Sequence, residues 1–188
     1  MVLFSPADAA TWPVYWRVER SKIIFGCILA SVVYGIVHDQ FTARICIEYF
    51  TVFHPPVFAT QSPTLLGIRW GIIATWWAGA IIGLLLSTAA RSGRRNRLTA
   101  LQLVPWVVRL LIFMAICASV FGTIGYFWGS MPPGFSGILP HELDRRFLAD
   151  WWAHTASYAS GFVGGLTLCV MVIIKRLRVV PSAPATDH

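Results

Sequence analysis

Four long apolar stretches constrain this chain more than any other feature of its sequence. They cover approximately residues 21–37, 65–90, 104–128 and 151–174. A helix needs about 20 mostly apolar residues to cross the hydrocarbon core of a bilayer. With 56% hydrophobic residues and 12% charged residues, the chain is too apolar for an ordinary water-soluble domain. The sequence therefore predicts an all-α integral membrane protein, a single domain of 188 residues built as a four-helix bundle.

The basic residues predict how these helices are oriented. They form three clusters beside the span ends, and cytoplasmic loops of membrane proteins are enriched in Lys and Arg. With four spans all three clusters fall on one face, so both termini are predicted to be cytoplasmic, with 1–20 as an interfacial segment and 178–188 as a tail. The net charge of +7 then reflects topology and contact with membrane lipids, and nucleic-acid binding is not required. The clusters are Arg17, Arg20 and Lys22; Arg91, Arg94, Arg95 and Arg97; and Lys175, Arg176 and Arg178.

A segment with two distinct helical faces follows the first span, at residues 38–56 (HDQFTARICIEYFTVFHPP). Its apolar and polar side chains each recur at every fourth position, which predicts a short amphipathic helix on the outer surface. The alternative is a strand over IEYFTVF, but an isolated strand at a membrane surface leaves its edges unpaired. The apolar face carries Phe41, Ile45 and Tyr49, and the polar face carries Gln40, Arg44 and Glu48.

The face opposite the basic clusters receives five of the eight acids and four of the five histidines. His38 ends the first span, and His154 lies near the same end of the fourth, so the two rings are expected at similar depth. Asp150, His154 and Tyr158 are spaced by four and share one helical stripe. Since ionisable groups at membrane depth are costly and tend to be functional, this stripe is expected to point into the bundle.

These residues form a mixed nitrogen and oxygen set that suits Zn, Fe, Cu or Mn. The leading hypothesis is a metal site facing the outer side, with binding, redox or catalytic chemistry. Haem held axially by two histidines is the less favoured cofactor. The predicted metal ligands are His38, Glu48, His54 and His154. Asp39, Arg69, Asp150 and Tyr158 are expected to orient the ligands or to form structural pairs.

Two other functions stay open. The spacing matches no H-E-x-x-H, H-x-H or C-x-x-C motif. The same residues could therefore be structural pairs, Arg69 with Glu48 and Asp150 with His154 among them, in an accessory or scaffold subunit of a homo-oligomer or larger membrane complex. Ion or proton transport is the third hypothesis, although the second and third spans lack a polar path. The four cysteines form no exposed pair, which argues against a membrane thiol oxidoreductase.

Three strings carry a resemblance that spans nearly the whole chain. They are HDQFTARICIEYFTVFHPP at 38–56, PTLLGIRWGIIATWW at 63–77 and FLADWWAHTASYASGFVGG at 147–165. In these strings the chain resembles an uncharacterised family of small bacterial four-span integral membrane proteins. The resemblance implies the bacterial inner membrane, with the outer face periplasmic, and it brings no activity or site residue with it.

Overall fold

The computed structural model describes residues 6–56, 59–93, 96–138 and 140–178, with side chains from residue 17 onward. Most of the predicted interfacial segment, Arg94, Arg95 and nearly all of the predicted tail lie outside the described residues or side chains. The described chain forms five helices: α1 (Pro6–Ile45), α2 (Ile47–Thr51), α3 (Pro63–Arg91), α4 (Ala100–Trp128) and α5 (His141–Arg178). Four of them are long and apolar enough to cross a membrane. The all-α prediction with four long apolar helices is confirmed.

The starts of α3 and α4 follow from local sequence. Ser62 caps α3 by accepting a hydrogen bond from the backbone N–H of Leu65, and Pro63 occupies the first turn, where its missing N–H has no helical partner to lose. Thr99 and Gln102 form a reciprocal capping box at the start of α4. These caps satisfy backbone donors that a helix start leaves unpaired.

The segment after the first span differs from the prediction. α1 passes straight through His38 and ends at Ile45, because no glycine or proline interrupts the sequence there. α2 then has only five residues, and its Tyr49 and Phe50 are buried. Both pack with Trp70 of α3 and Phe147 of α5. The expected amphipathic helix on the outer surface is therefore not supported, since burial of these aromatic rings draws α2 into the bundle.

Glycines bring α1 and α3 into backbone contact. A Cβ at Gly71 would lie 2.5 Å from the backbone nitrogen of Ile36, and one at Gly79 would lie 2.7 Å from the carbonyl oxygen of Cys27. Small residues at such positions let helices in a membrane approach closely and gain packing contacts. This contact holds the residues of α1 in a fixed register beside α3.

The two ends of the bundle differ in chemistry. At the basic end, Arg176 donates to the carbonyl oxygens of Ala89, Ser92 and Asn96. There the backbone N–H of Ala100 also donates to Glu19 Oε2, at 3.0 Å. Described members of all three basic clusters thus lie at one end. The opposite end holds His38, Asp39, His54 and His154, and is called the histidine end below.

Candidate functional site

Three side chains from two helices meet at the histidine end. His38 and Asp39 are consecutive residues of α1, and His154 is a buried residue of α5. One potential ligand atom from each of the three lies within 4.8 Å of the others. His154 Nε2 is 3.3 Å from Asp39 Oδ1, and both side chains are largely buried. We call His38, Asp39 and His154 the cluster.

The hydrogen bonds define which atoms of the cluster are available. His154 Nδ1 lies 2.8 Å from the backbone carbonyl oxygen of Asp150 and donates to it, because a carbonyl can only accept. In the neutral ring, Nε2 therefore carries a lone pair and points at a carboxyl oxygen. That contact needs either a shared proton or a cation between the two atoms. Nε2 of His38 is buried and has no hydrogen-bond partner among the described residues.

Aromatic rings surround the cluster on several sides. Tyr34 stacks on His38 with ring centroids 5.8 Å apart, and Tyr49 stacks on His154 at 4.5 Å. His38 and His154 themselves meet edge to face, with centroids 4.7 Å apart. This direct contact leaves no space for a porphyrin between the two rings. The arrangement suits a single ion better than axially bound haem.

His54 lies in the same cavity but outside the cluster. Its Nδ1 donates to the carbonyl oxygen of Tyr49 at 2.7 Å, and its ring packs edge to face on Trp70. Burial lowers the pKa of His54 below its ordinary value of 6.5, and the hydrogen bond to Tyr49 opposes this only in part. The ring is therefore held in its neutral form, in which Nε2 is an acceptor facing away from the Tyr49 carbonyl.

Glu48 is placed differently from the predicted ligand role. It is half-buried and accepts a weak hydrogen bond from the Cys46 thiol at 3.5 Å, and it does not line the cavity. Burial raises the pKa of Cys46 to about 12, so this thiol stays protonated. The pair joins the end of α1 to α2 and is separate from the cluster.

Asp150 also departs from its expected pairing. The contact of His154 with Asp150 is to the backbone carbonyl, whereas the carboxylate it meets belongs to Asp39. Asp150 is fully buried, and neither carboxyl oxygen has a hydrogen-bond partner among the described residues. The expected side-chain pair of Asp150 with His154 is therefore wrong, because the i to i+4 spacing directs the His154 ring to the backbone carbonyl one turn earlier in its own helix, whose second lone pair accepts the bond. Arg69 is exposed on α3 and does not line the cavity.

A cavity of about 310 Å³ opens directly from the cluster. Its polar end is formed by the cluster, His54 and Tyr158, whose hydroxyl donates to the Ala74 carbonyl at 3.5 Å. The remaining wall consists mainly of apolar side chains from α1, α3, α4 and α5. A volume of this size falls at the lower end of the range for small-molecule sites.

Two residues of the site are not among those predicted from the sequence. Tyr34 lines the cavity, and its hydroxyl forms a 2.8 Å hydrogen bond with Ser157 Oγ of α5. Trp70 lines it as well. Tyr34 precedes His38 by four residues and shares its helical face, so the same spacing rule that grouped Asp150, His154 and Tyr158 identifies it.

Comparisons with known proteins add no relative to this description. No family model matches the chain, and neither the curated proteins nor the solved structures include a significant match.

Proposed function

We propose that this chain is a bacterial inner-membrane protein that binds one transition-metal ion at the cluster, with the histidine end facing the periplasm and both termini in the cytoplasm. The observation that carries the metal assignment is the convergence of two imidazoles and one carboxylate from α1 and α5. Zn, Fe, Cu and Mn accept such mixed ligands, and two His with one carboxylate is a recurrent set for catalytic metals. Iron oxygenases of this ligand type keep further coordination positions open.

The distances fit an ion after small movements. A tetrahedral ion about 2.05 Å from two ligand atoms holds them roughly 3.3 Å apart, which is the observed spacing of His154 Nε2 and Asp39 Oδ1. The widest spacing in the cluster is at most 4.8 Å, so one side chain has to close in by no more than about 1.5 Å when an ion binds. The buried, unpartnered Nε2 of His38 and the hydrogen bond that fixes the His154 ring both support this reading.

The competing function is structural. The 3.3 Å contact between Asp39 and His154 joins α1 to α5 without any ion, as an accessory or scaffold subunit would use it. Asp39→Asn separates the two functions, because the Asn amide still donates to the lone pair of His154 Nε2 while the anionic ligand is lost. A metal site predicts weaker metal binding with little change in stability. A structural pair predicts little change in metal binding or in stability.

The test is metal content after gentle solubilisation without chelator or histidine tag, followed by titration with Zn²⁺ and Fe²⁺. We expect one metal per chain, and at least about ten-fold weaker affinity in Asp39→Asn and His154→Ala, since even residues that only orient ligands change affinity by about 10–100-fold. His141→Ala is the matched control, because the His141 side chain is 97% exposed and pairs with Asp144. Equal metal binding by Asp39→Asn, His154→Ala and the unmodified protein would overturn the metal assignment.

The orientation has a separate test. A reporter that works only in the cytoplasm should be active when it is fused after Lys175, because the basic end is expected to stay on that side. An inactive fusion, together with activity of a periplasm-specific reporter at the same position, would reverse the topology and place the cluster on the cytoplasmic side.

A further inference from the structure

The cavity reaches far beyond the cluster into the apolar part of the bundle. Cys27 and His38 both line it, and they lie eleven residues apart on α1. At 1.5 Å per residue the cavity therefore extends about 17 Å along the helix. A bound ion needs only the first few ångströms of this space. The remainder is available to a second, longer ligand.

One side of the cavity is open to the surroundings of the bundle. Trp77 and Ile81 of α3 line the cavity and yet are 46% and 48% exposed. Tyr158 and Phe162 of α5 also line it and are 44% and 57% exposed. Trp77 lies about 21 Å along α3 from its start at Pro63, near the middle of the helix. The seam between α3 and α5 thus lies at mid-length of two helices that are long and apolar enough to cross a membrane, where a ligand dissolved in the bilayer would enter the cavity.

The two ends of the cavity select an amphipathic ligand with a flat head. Imidazole, phenol and indole rings form the walls near the cluster, and such walls favour a planar aromatic group. The cluster and His54 place their polar atoms at one end, whereas the deeper wall is mainly apolar and includes Ile82, Leu110 and Met114. Few polar groups at one end of an apolar pocket fix the orientation of a ligand.

We infer that the cavity binds a bilayer-dissolved phenol or quinol that bears a hydrocarbon chain, with its hydroxyl at the cluster and its chain between α3 and α5. This rests on the proposed function for the metal that the hydroxyl meets. Three protein ligands leave a coordination position free, and a hydroxyl oxygen is a suitable ligand for it. The inference concerns binding, and it assigns no reaction to the ligand.

The probe is a hydroquinone with a decyl chain, titrated by equilibrium binding to the protein in lipid nanodiscs. Its dimethyl ether keeps the ring and the chain but cannot donate a hydrogen bond or bind a metal as a phenolate. We expect saturable binding of the hydroquinone and about ten-fold or weaker binding of the ether, because a buried polar site left unpaired disfavours the analogue. Equal affinity for the two compounds would overturn the placement of the hydroxyl.

Two matched variants test the position of the chain. Ala78 lines the cavity, so Ala78→Phe fills it and should weaken hydroquinone binding at least about ten-fold while metal content stays the same. Ala159→Phe adds the same volume at an exposed position of α5 outside the cavity and should bind like the unmodified protein. Equal hydroquinone binding by the two variants would place the chain elsewhere and overturn the inference.

Metal analysis of the same samples separates this inference from the proposed function. One metal per chain without saturable hydroquinone binding overturns the inference and leaves the metal site standing. Saturable hydroquinone binding that Ala78→Phe weakens, in protein that cannot be loaded with metal, overturns the metal site and supports the ligand cavity.

Discussion

Replacing Gly71 with alanine should separate α1 from α3 and disturb the cluster. The added Cβ would lie 2.5 Å from the Ile36 backbone nitrogen, 2.6 Å from its Cα and 2.7 Å from the Gly35 carbonyl carbon. All three are backbone atoms, so no rotamer change relieves the contact. Ordinary van der Waals contact for a Cβ begins at 3.4 Å. The helices must therefore move apart locally by about 1 Å.

The cost follows from the contacts that this movement weakens. A gap of 0.5–1 Å forfeits about a quarter to a half of the dispersion energy of each contact. Overpacking by one methyl costs about 1–3 kcal/mol, and the upper end applies because backbone faces backbone. Alanine recovers up to about 1 kcal/mol through its higher helix propensity. We therefore expect Gly71→Ala to lower the free energy of unfolding by about 2 kcal/mol.

The assay is reversible unfolding in mixed micelles with increasing dodecyl sulfate, followed by circular dichroism. Gly26→Ala is the matched control, because it lies on α1 and a Cβ there has no neighbour within 4 Å. The control should be neutral or slightly stabilising. Gly71→Ala should also weaken metal binding, since Gly67, one turn away, already packs against the Asp39 backbone. Equal unfolding curves for the two variants would refute the backbone contact between α1 and α3.

Two further predictions concern the ends of the bundle. Burial lowers the pKa of His54, and His154 repels its charge despite attraction to Asp39, so the folded protein disfavours protonation of this ring. The unfolded chain takes up this proton near pH 6.5, so the free energy of unfolding should fall as the pH decreases below that value. His54→Gln should weaken this pH dependence when unfolding is measured at a series of pH values. Arg176→Met removes donors to three carbonyl oxygens at the basic end and should lower the free energy of unfolding by about 2–5 kcal/mol. The exposed Arg178, changed to Met in the same assay, should have little effect, and equal losses for the two arginines would contradict the prediction.

The helices and their ends were readable from sequence because their causes are local. Four apolar stretches long enough to span a membrane can satisfy their backbone groups there only as helices. Ser62 and Thr99 mark helix starts through side chains that reach only three residues. The grouping of basic residues at one end required only the number of spans.

The failures occurred where packing between distant residues decides the outcome. The period of Phe41, Ile45 and Tyr49 describes a helical face but does not say whether that face meets water or protein. Tyr49 is buried because Trp70 and Phe147 are there to receive it. Helical spacing likewise placed Asp150 and His154 on one stripe, yet the carboxylate that meets His154 comes from α1, 115 residues away in the sequence.

Four apolar helices, and most histidines and acids at one end of them, could be predicted from the sequence, since composition and periodicity act along a single segment. The folded structure was needed to show that His38, Asp39 and His154 form the cluster and that a cavity runs from it between the helices. The reason is that close approach of α1, α3 and α5 depends on interhelical contacts such as those at Gly71. The sequence of a single segment does not show how such contacts set the register of two helices.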